Sequence, residues 1–197
     1  MHADTVIVGA ALQELVRFIR EHPETVAVGP RLLHPRAKLR VLGCGNQPTL
    51  WRTFTHYSFL SALIPHLRFF EGIHLFVGQH DKSPREVEWV AGTCFLVRKS
   101  ALMAVGGLCE DWFMYVEDWD LCERLRKAGW KIHHVSSAIV EHHLGASTEQ
   151  NKVASVMPIT AGRSYFIKLN NPSRTELFMF DVIRSAGLAA RALAYFL

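Results

Sequence analysis

The sequence feature that most restricts the fold is a group of acidic residues directly before a helical pattern. Glu117, Asp118 and Asp120 fall within four residues. Apolar residues then recur at helical spacing across 121–128, and Gly129 is a favoured helix terminator. The sequence therefore predicts a short helix that carries three carboxylates in its first turn.

This acidic group allows two interpretations. Carboxylates are favoured at a helix N-terminus because they face unpaired backbone N–H groups and the positive end of the helix dipole. Three of them packed closely also repel one another, and that repulsion raises the affinity of at least one for a proton. A catalytic site that holds a carboxylate ready to accept a proton has a reason to tolerate such repulsion. The helix alone leaves the structural and the catalytic interpretation open.

Composition indicates an ordinary globular protein. The chain has 197 residues, which suits one domain with a sizeable core. Apolar residues make up 49% and charged residues 20% of the sequence. The net charge of +4 is modest and shows no basic stripe typical of nucleic-acid binding. We therefore expect no nucleic-acid partner, and the charge suits an anionic small molecule or a phospholipid surface.

The cysteines indicate a reducing, cytoplasmic setting. Cys44, Cys94, Cys109 and Cys122 show no CxxC spacing and no zinc-ligand pattern. Cys94 and Cys122 lie within apolar patterns, which predicts small core residues. No uninterrupted apolar run reaches the about 20 residues that a membrane-spanning helix needs.

Hydrophobic periodicity predicts further elements on both sides of the acidic helix. In chain order they are a helix over 9–21, a strand over 25–30, a strand over 86–97 interrupted at Gly92, a helix over 99–105, strands over 131–135 and 138–142, and helices from about 150 with a break at 170–172. The pattern between residues 32 and 86 is irregular and predicts no chemistry.

Several motifs occur in a fixed order along the chain. The acidic group reads E-D-x-D-L-C-x-R from Glu117 to Arg124. It follows the run 89–98 and the pair 106–107, and it precedes the run 142–147, which ends in H-x-G-x-S. In this order and spacing the motifs resemble those of the family 2 glycosyltransferases, which have the GT-A fold. The chain is most similar to the rhamnosyltransferase-like bacterial members.

The resemblance implies an α/β fold in which a mixed sheet is flanked by helices. Residues 1–148 would form the C-terminal part of a Rossmann-like GT-A domain, and residues 149–197 a helical extension. The first β-α-β units of such a domain, which bind the nucleotide, would lie upstream of Met1. We therefore expect an N-terminally truncated member of the family.

The resemblance also implies roles for the acidic helix. Asp118 matches the general base that takes a proton from the acceptor hydroxyl. Glu117 and Asp120 would position acceptor or sugar hydroxyls, and Arg124 would fix the orientation of these acids.

Other matched positions imply substrate contacts. Trp89, Gly92 and Thr93 fall in the region that lines the pocket for the donor sugar and the acceptor, and Ser147 falls in the loop that approaches the diphosphate. Trp89 could stack on a sugar face or pack in the core, and both interpretations remain open.

A divalent cation, Mg²⁺ or Mn²⁺, is the implied cofactor. Asp4 matches the last acid of the family's D-x-D metal-binding element, whose first position is His2 here instead of Asp or Asn. The histidine of the H-x-G-x-S ending can also bind the metal in relatives, and the spacing favours His143 over His142.

The implied reaction is inverting transfer of a sugar from a nucleotide-diphosphate donor to a hydroxyl of a glycan or lipid-linked acceptor. We expect it to serve cell-envelope polysaccharide synthesis, in the cytoplasm or at the inner face of the cytoplasmic membrane. The C-terminal tail, 176–197, combines apolar and basic residues. It could make peripheral contact with the membrane or pack against protein.

Two other functions compete with the transferase. The chain could be a non-catalytic truncated remnant that binds a membrane or a partner. A histidine-rich zinc protein is the third alternative, although the histidines show no recognised ligand spacing.

Overall fold

A mixed β-sheet forms the centre of the protein. The computed structural model describes residues 1–34, 40–41, 43–75, 84–112, 115–143 and 152–196. The strands are β1 Thr5–Val8, β2 Thr25–Leu33, β3 Arg40–Val41, β4 Cys44–Gly45, β5 Arg85–Val87, β6 Trp89–Val90, β7 Leu96–Val97 and β8 Lys131–His142. In the main sheet the order is β1-β8-β2-β3, with β5 paired to β8 and β7 to β2, while β4 and β6 form a small second sheet.

The helices flank this sheet and continue beyond it. They are α1 Ala11–Glu21, α2 Leu50–Tyr57, α3 Leu60–Leu63, α4 Lys99–Ala104, α5 Glu117–Lys127, α6 Lys152–Asn170 and α7 Arg174–Phe196, with a 3-10 turn at Arg68–Phe70. The predicted α/β architecture, a mixed sheet flanked by helices with a helical C-terminal part, is therefore confirmed.

Strand β8 connects most of the main sheet. It pairs in parallel with β2 and antiparallel with β1 and β5. The sequence predicted two short strands here, but the structure has one, with a register shift opposite Pro30–Arg31. The serines at 136 and 137 therefore mark an irregularity within a strand, not a break between strands.

Strand β2 is covered on both faces. Residues 25 to 30 are buried without interruption, and successive strand residues point to opposite faces. Helix α1 covers part of this core through the buried residues Ala11, Leu15 and Ile19. Their helical spacing is the amphipathic pattern that predicted the helix.

A second core cluster lies between the strands and α5. Leu121, Cys122 and Leu125 of α5 pack with Ala101 of α4 and Ile132 of β8. Cys94 and Cys122 are buried, as the sequence predicted, and all four cysteines are free.

The region from 85 to 97 differs from the single interrupted strand that the sequence predicted. It forms three separate strands, in which β5 and β7 join the main sheet and β6 joins β4. A turn between β6 and β7 contains Gly92 and Thr93.

Helices α6 and α7 pack against each other and against the rest of the chain. Phe166 stacks on Phe180 with ring centroids 4.0 Å apart, and Arg163 forms an ion pair with Asp181 at 2.8 Å. Arg191 of α7 donates to the carbonyl oxygen of His56 at 2.9 Å. The predicted boundary at residue 148 lies outside the described residues, so the division into two parts stays a prediction.

Among the described residues, no helix combines the length and the apolar character that crossing a bilayer requires.

Two helical glycines provide a matched test of the α2–α7 contact. A Cβ at Gly187 would lie 2.5 Å from Cβ of Tyr57, whereas a Cβ at Gly162 would meet no atom within 4 Å. Alanine favours a helix over glycine by roughly 0.5–1 kcal/mol, so Gly162→Ala should stabilise the protein by about that amount. Gly187→Ala should instead destabilise it by about 1–3 kcal/mol through overpacking. Urea unfolding measures both free energies, and equal stabilisation by the two substitutions would contradict the packing.

Candidate active site

The candidate site is centred on the first turn of α5. Tyr115 and Val116, directly before the helix, have φ values of 65° and 61°. This left-handed backbone is unfavourable for a β-branched residue such as Val116, and backbone strain of this kind concentrates at functional sites. The helix then begins at Glu117, with the three predicted carboxylates in its first turn.

Asp118 is held by two backbone N–H groups. Its Oδ2 accepts a hydrogen bond from Gly92 at 2.7 Å, and its Oδ1 accepts one from Trp119 at 2.9 Å. An ionised carboxylate has about four acceptor positions. Each oxygen of Asp118 therefore keeps capacity for a further donor such as a substrate hydroxyl.

The environment of Asp118 raises the affinity of its carboxylate for a proton. The pKa of this carboxyl is raised to about 6. Burial is the main cause and the neighbouring Glu117 adds to it, while the two backbone hydrogen bonds act in the opposite direction. A carboxylate with a pKa near neutral pH is a suitable general base, because it is ionised at pH 7 and still has appreciable proton affinity.

The turn that holds Asp118 also holds the N-terminal segment. The carbonyl oxygen of Thr93 accepts a hydrogen bond from the backbone N–H of His2 at 2.8 Å. Gly92 and Thr93 therefore connect Asp118 on one side with His2 on the other. The predicted substrate contacts of these two residues stay predictions, but their backbone position is next to the acid.

Three potential metal ligands meet at the N-terminal segment. One ligand atom from each of His2, Asp4 and His142 lies within 4.8 Å of the others. The pairing of β1 with β8, which sets Thr5 opposite His142, produces this arrangement. Nε2 of His142 lies 3.3 Å from Oδ2 of Asp4, and the rings of His2 and His142 have centroids 6.1 Å apart.

The structure places His142, and not His143, in this group. The side chain of His143 is exposed, and its backbone N–H donates to the carbonyl oxygen of Asp4 at 2.9 Å. The potential ligand group in the structure therefore contains His142, and the preference for His143 drawn from spacing stays a prediction. Side-chain alternation along β8 could have predicted that His142 points inward, because it lies on the same face of the strand as the buried Ala138 and Val140.

The donors of this group fit a divalent ion. Ligand atoms bound at about 2.1 Å lie roughly 3–4 Å from one another, so small side-chain rotations would close the group around an ion. Nδ1 of His142 is buried without a hydrogen-bond partner among the described residues. Imidazole at two positions and one carboxylate is a set that suits Mn²⁺ better than Mg²⁺, which prefers oxygen ligands.

The other two acids differ in their surroundings. Asp120 is buried, with Oδ2 at 2.7 Å from Nε of Arg124 and Oδ1 at 3.5 Å from Nζ of Lys168. Arg124 also donates to the carbonyl oxygen of Val105 at 2.5 Å. Arg124 therefore orients Asp120, and the pair of Asp120 with Lys168 connects α5 to α6. The predicted contact of Asp120 with substrate hydroxyls would compete with these ion pairs.

Glu117 differs from Asp120 because one of its oxygens lacks a partner among the described residues. Its Oε2 is buried and has no hydrogen-bond partner within the described part of the chain. The predicted contact of Glu117 with a substrate hydroxyl stays a prediction.

Trp89 lies in the core. Its exposed fraction is 2%, its Nε1 donates to the carbonyl oxygen of Asn46 at 3.0 Å, and its ring packs on Trp119 with centroids 5.0 Å apart. Stacking of Trp89 on a sugar is therefore corrected in favour of the core alternative. Ser147, the remaining predicted contact, lies outside the described residues.

Two residues that the sequence did not predict support the site. The carbonyl oxygen of Trp119 accepts hydrogen bonds from Nε2 of Gln47 at 3.1 Å and from the hydroxyl of Tyr165 at 3.2 Å. Gln47 and Tyr165 also bond to each other at 2.8 Å. These contacts fix the first turn of α5, which carries Asp118. No local pattern could predict them because the residues are far apart in sequence.

A separate surface cavity of about 450 Å³ lies between α1 and β8. Phe18, His22 and His133 are among its lining residues, and none of the three acids of α5 is. This cavity therefore does not belong to the candidate site.

Metal binding distinguishes the two adjacent histidines. Removal of one of three ligands should weaken Mn²⁺ binding by about tenfold or more, so His142→Ala should show this loss. His143→Ala is the matched control and should bind Mn²⁺ like the parent chain. Titration followed by electron paramagnetic resonance measures both, and the opposite order of effects would restore the original assignment.

The pKa of Asp118 predicts a pH dependence of stability. Because the folded pKa is about 6, above the ordinary value of 3.8 for an aspartate, the native state holds this proton more tightly than the unfolded state. The carboxyl therefore lowers stability as pH rises from about 4 to about 6, by roughly 2–3 kcal/mol in total. Asp118→Asn removes this contribution, so the variant should gain stability relative to the parent across that window. Urea unfolding at a series of pH values measures the difference, and a constant difference would show that the pKa is ordinary.

Known glycosyltransferases share part of this sequence. The N-acetylglucosaminyl-diphospho-decaprenol L-rhamnosyltransferase of Mycobacterium tuberculosis is 53% identical over 68 residues, which are 34% of this chain and 22% of the relative. Rhamnosyltransferase WbbL of Escherichia coli K12 is 44% identical over 57 residues, which are 29% of this chain and 22% of the relative. The matched part thus spans 22% of the length of each relative.

A family model covers most of the chain. The model described as glycosyltransferase like family 2 matches residues 1–156. This range includes the acidic helix, the Gly92–Thr93 turn and the group formed by His2, Asp4 and His142. The mixed sheet flanked by helices is consistent with the GT-A fold that the resemblance implied. The chain belongs to glycosyltransferase family 2, and part of it is similar to known rhamnosyltransferases.

Proposed function

We propose that this chain carries the acceptor-activating and metal-binding part of an inverting glycosyltransferase. The observation that supports this most is the connection between Asp118 and the metal-ligand group. Asp118 bonds to Gly92, and the adjacent Thr93 bonds to His2. A general base and a cation site are thereby held on one turn, which is what transfer from a diphosphate donor needs.

Asp118 acts as the general base in this proposal. Its carboxylate takes the proton from an acceptor hydroxyl while that oxygen forms a bond to the anomeric carbon of the donor sugar. The bond from that carbon to the diphosphate oxygen breaks, and the nucleoside diphosphate leaves with the electron pair. Attack opposite the leaving group inverts the anomeric centre. The backbone N–H groups of Gly92 and Trp119 orient the base, and Oε2 of Glu117 accepts a hydrogen bond from a substrate hydroxyl.

His2, Asp4 and His142 would hold a divalent cation, for which Mn²⁺ fits the donors best. When bound, the cation offsets the negative charge that develops on the leaving diphosphate. The backbone of Asp4 also holds the end of β8 beside this group, because the carbonyl oxygen of Asp4 accepts a hydrogen bond from the N–H of His143.

The relatives suggest the substrates. One is named for transfer of L-rhamnose to N-acetylglucosaminyl-diphospho-decaprenol. We propose the same classes here, a nucleotide-diphosphate rhamnose as donor and a diphospho-polyprenol-linked sugar as acceptor, for cell-envelope polysaccharide synthesis. Work on a lipid-linked acceptor would occur at the inner face of the cytoplasmic membrane.

The C-terminal helix is one proposed site of membrane contact. Phe178, Met179, Val182 and Leu193 of α7 are exposed. Other residues of α7, including Phe180 and Arg191, contact α6 and α2, so packing and membrane contact involve different faces.

Removal of the base should abolish most of the activity. General-base catalysis contributes about 10²–10⁴-fold to rate, so Asp118→Asn should lower kcat by about that factor. The exposed Glu110 is a matched acidic control, and Glu110→Gln should keep the parent rate. In the parent, kcat/KM should rise with pH through about 6, because the base must be ionised. Transfer of radiolabelled rhamnose to a lipid-linked N-acetylglucosamine acceptor measures these rates.

Two different results would contradict the proposed role of Asp118 and the transferase function. Activity of Asp118→Asn near the parent rate would remove Asp118 from the role. A parent chain without transfer activity that also fails to bind a nucleoside diphosphate with Mn²⁺ in calorimetry would support the non-catalytic alternative.

A further inference from the structure

Helix α2 has its polar and apolar faces reversed relative to an ordinary surface helix. Thr53 and Thr55 are 0% exposed, whereas the neighbouring Trp51 and Phe54 face solvent. The buried hydroxyls donate to carbonyl oxygens, Thr53 to Thr49 at 2.7 Å and Thr55 to Arg52 at 3.1 Å. Internal bonds of this kind allow the threonines to be buried, so the exposed rings are a stable feature of the fold.

The exposed apolar residues continue after α2. Leu63 is 73% exposed, and Phe69 is 68% exposed. Trp51 connects this part to the helix, because its ring packs on Phe69 with centroids 4.9 Å apart and its Nε1 donates to the carbonyl oxygen of Phe69 at 2.7 Å. We call this surface the 51–69 face. Its members are Trp51, Phe54, Phe59, Leu63, Leu67 and Phe69.

Residues 49–70 supply basic side chains and no acidic ones. Two of the four basic residues do not present charge to solvent, because Arg52 pairs with Glu88 at 2.5 Å and His56 is buried. Arg68 and His66 are exposed. Helix α7, which packs on α2, has no acidic residue after Asp181. An anionic surface would therefore meet no repelling carboxylate from this stretch.

We propose that the 51–69 face docks on the surface of a lipid bilayer that contains anionic phospholipid. Aromatic and leucine side chains beside basic residues are the combination that interfacial segments use. The indole of Trp51 suits the headgroup level, Leu63 and Phe69 enter the acyl boundary, and Arg68 meets lipid phosphates.

A bilayer fits this face better than a second copy of the chain. A two-fold interface would bring the same surface of both copies together, including both Arg68 side chains. Residues 49–70 supply no carboxylate to offset that repulsion.

Docking through the 51–69 face would also place the proposed base near the membrane, and this consequence rests on the proposed function. Helix α2 begins just after Gln47, whose Nε2 bonds to the carbonyl oxygen of Trp119, next to Asp118. Docking through α2 would bring the base close to the membrane surface, where the diphosphate of a polyprenol-linked acceptor is located. Vesicle binding itself needs no catalysis, so it can be tested separately from the activity.

Co-sedimentation with vesicles tests the proposal on the full chain. The parent should bind vesicles of phosphatidylcholine with phosphatidylglycerol, and less of it should bind phosphatidylcholine alone. Leu63→Ser/Phe69→Ser removes two highly exposed apolar side chains and should weaken binding by about tenfold or more. Arg68→Gln should weaken binding to the anionic vesicles by about fivefold, since one basic residue near such a surface contributes about 1 kcal/mol.

The matched control is Met103→Ser/Leu108→Ser, which removes apolar side chains that are 67% and 55% exposed elsewhere. Its vesicle binding should equal that of the parent, and urea unfolding of both double variants should show that the fold is kept. Equal weakening by both double variants, or no binding by the parent, would overturn the proposal. Loss of binding in Phe178→Ser with none in Leu63→Ser/Phe69→Ser would assign docking to α7 instead. Dimerisation of the parent that Leu63→Ser/Phe69→Ser abolishes, without vesicle binding, would assign the face to self-association.

Discussion

The pairing of β8 with its neighbours is the constraint on which the rest of the structure depends. One strand of 12 residues bonds in parallel to β2 and antiparallel to β1 and β5. Its first residues follow α5, which carries Asp118, and its last residue is His142, which faces Asp4. A shift of one residue in this register would turn His142 away from Asp4, because side chains alternate along a strand. The register of β8 therefore decides which residues form the metal-ligand group.

Local sequence patterns were sufficient for the elements that have a strong period and clear ends. Helix α1 follows from its apolar spacing, α5 from its acidic first turn and Gly129, and the break between α6 and α7 from the residues around Pro172. The family motifs then added the position of Asp118. These features are encoded by residues close together in the chain, so a single sequence contains the information.

Features that depend on distant partners could not be predicted in the same way. The choice between His142 and His143 depends on the phase of β8 against β1. The burial of Trp89 depends on its contact with Trp119, and the ion pair of Asp120 depends on Lys168. Likewise, the reversed faces of α2 depend on Glu71, whose carbonyl oxygen accepts the hydroxyl of Thr55. In each case the decisive neighbour comes from another element, and tertiary context overrides the local pattern.

A single turn unites the chemistry of the site. Gly92 gives its N–H to the carboxylate of Asp118, and Thr93 gives its carbonyl oxygen to His2. Gln47 and Tyr165 hold the carbonyl oxygen of Trp119, the residue after Asp118. The proposed base and the potential cation ligands are therefore held by neighbouring residues of the same turn.

The most direct test of this account measures whether the cation group and the base are neighbours. Mn²⁺ broadens the nuclear magnetic resonance signals of amide groups close to it. Titration of the ¹⁵N-labelled chain with Mn²⁺ should broaden the amide signals of Gly92, Thr93 and Trp119 together with that of His142. If broadening occurs around His142 while Gly92 and Trp119 keep full intensity, the two groups lie apart and the shared site is wrong.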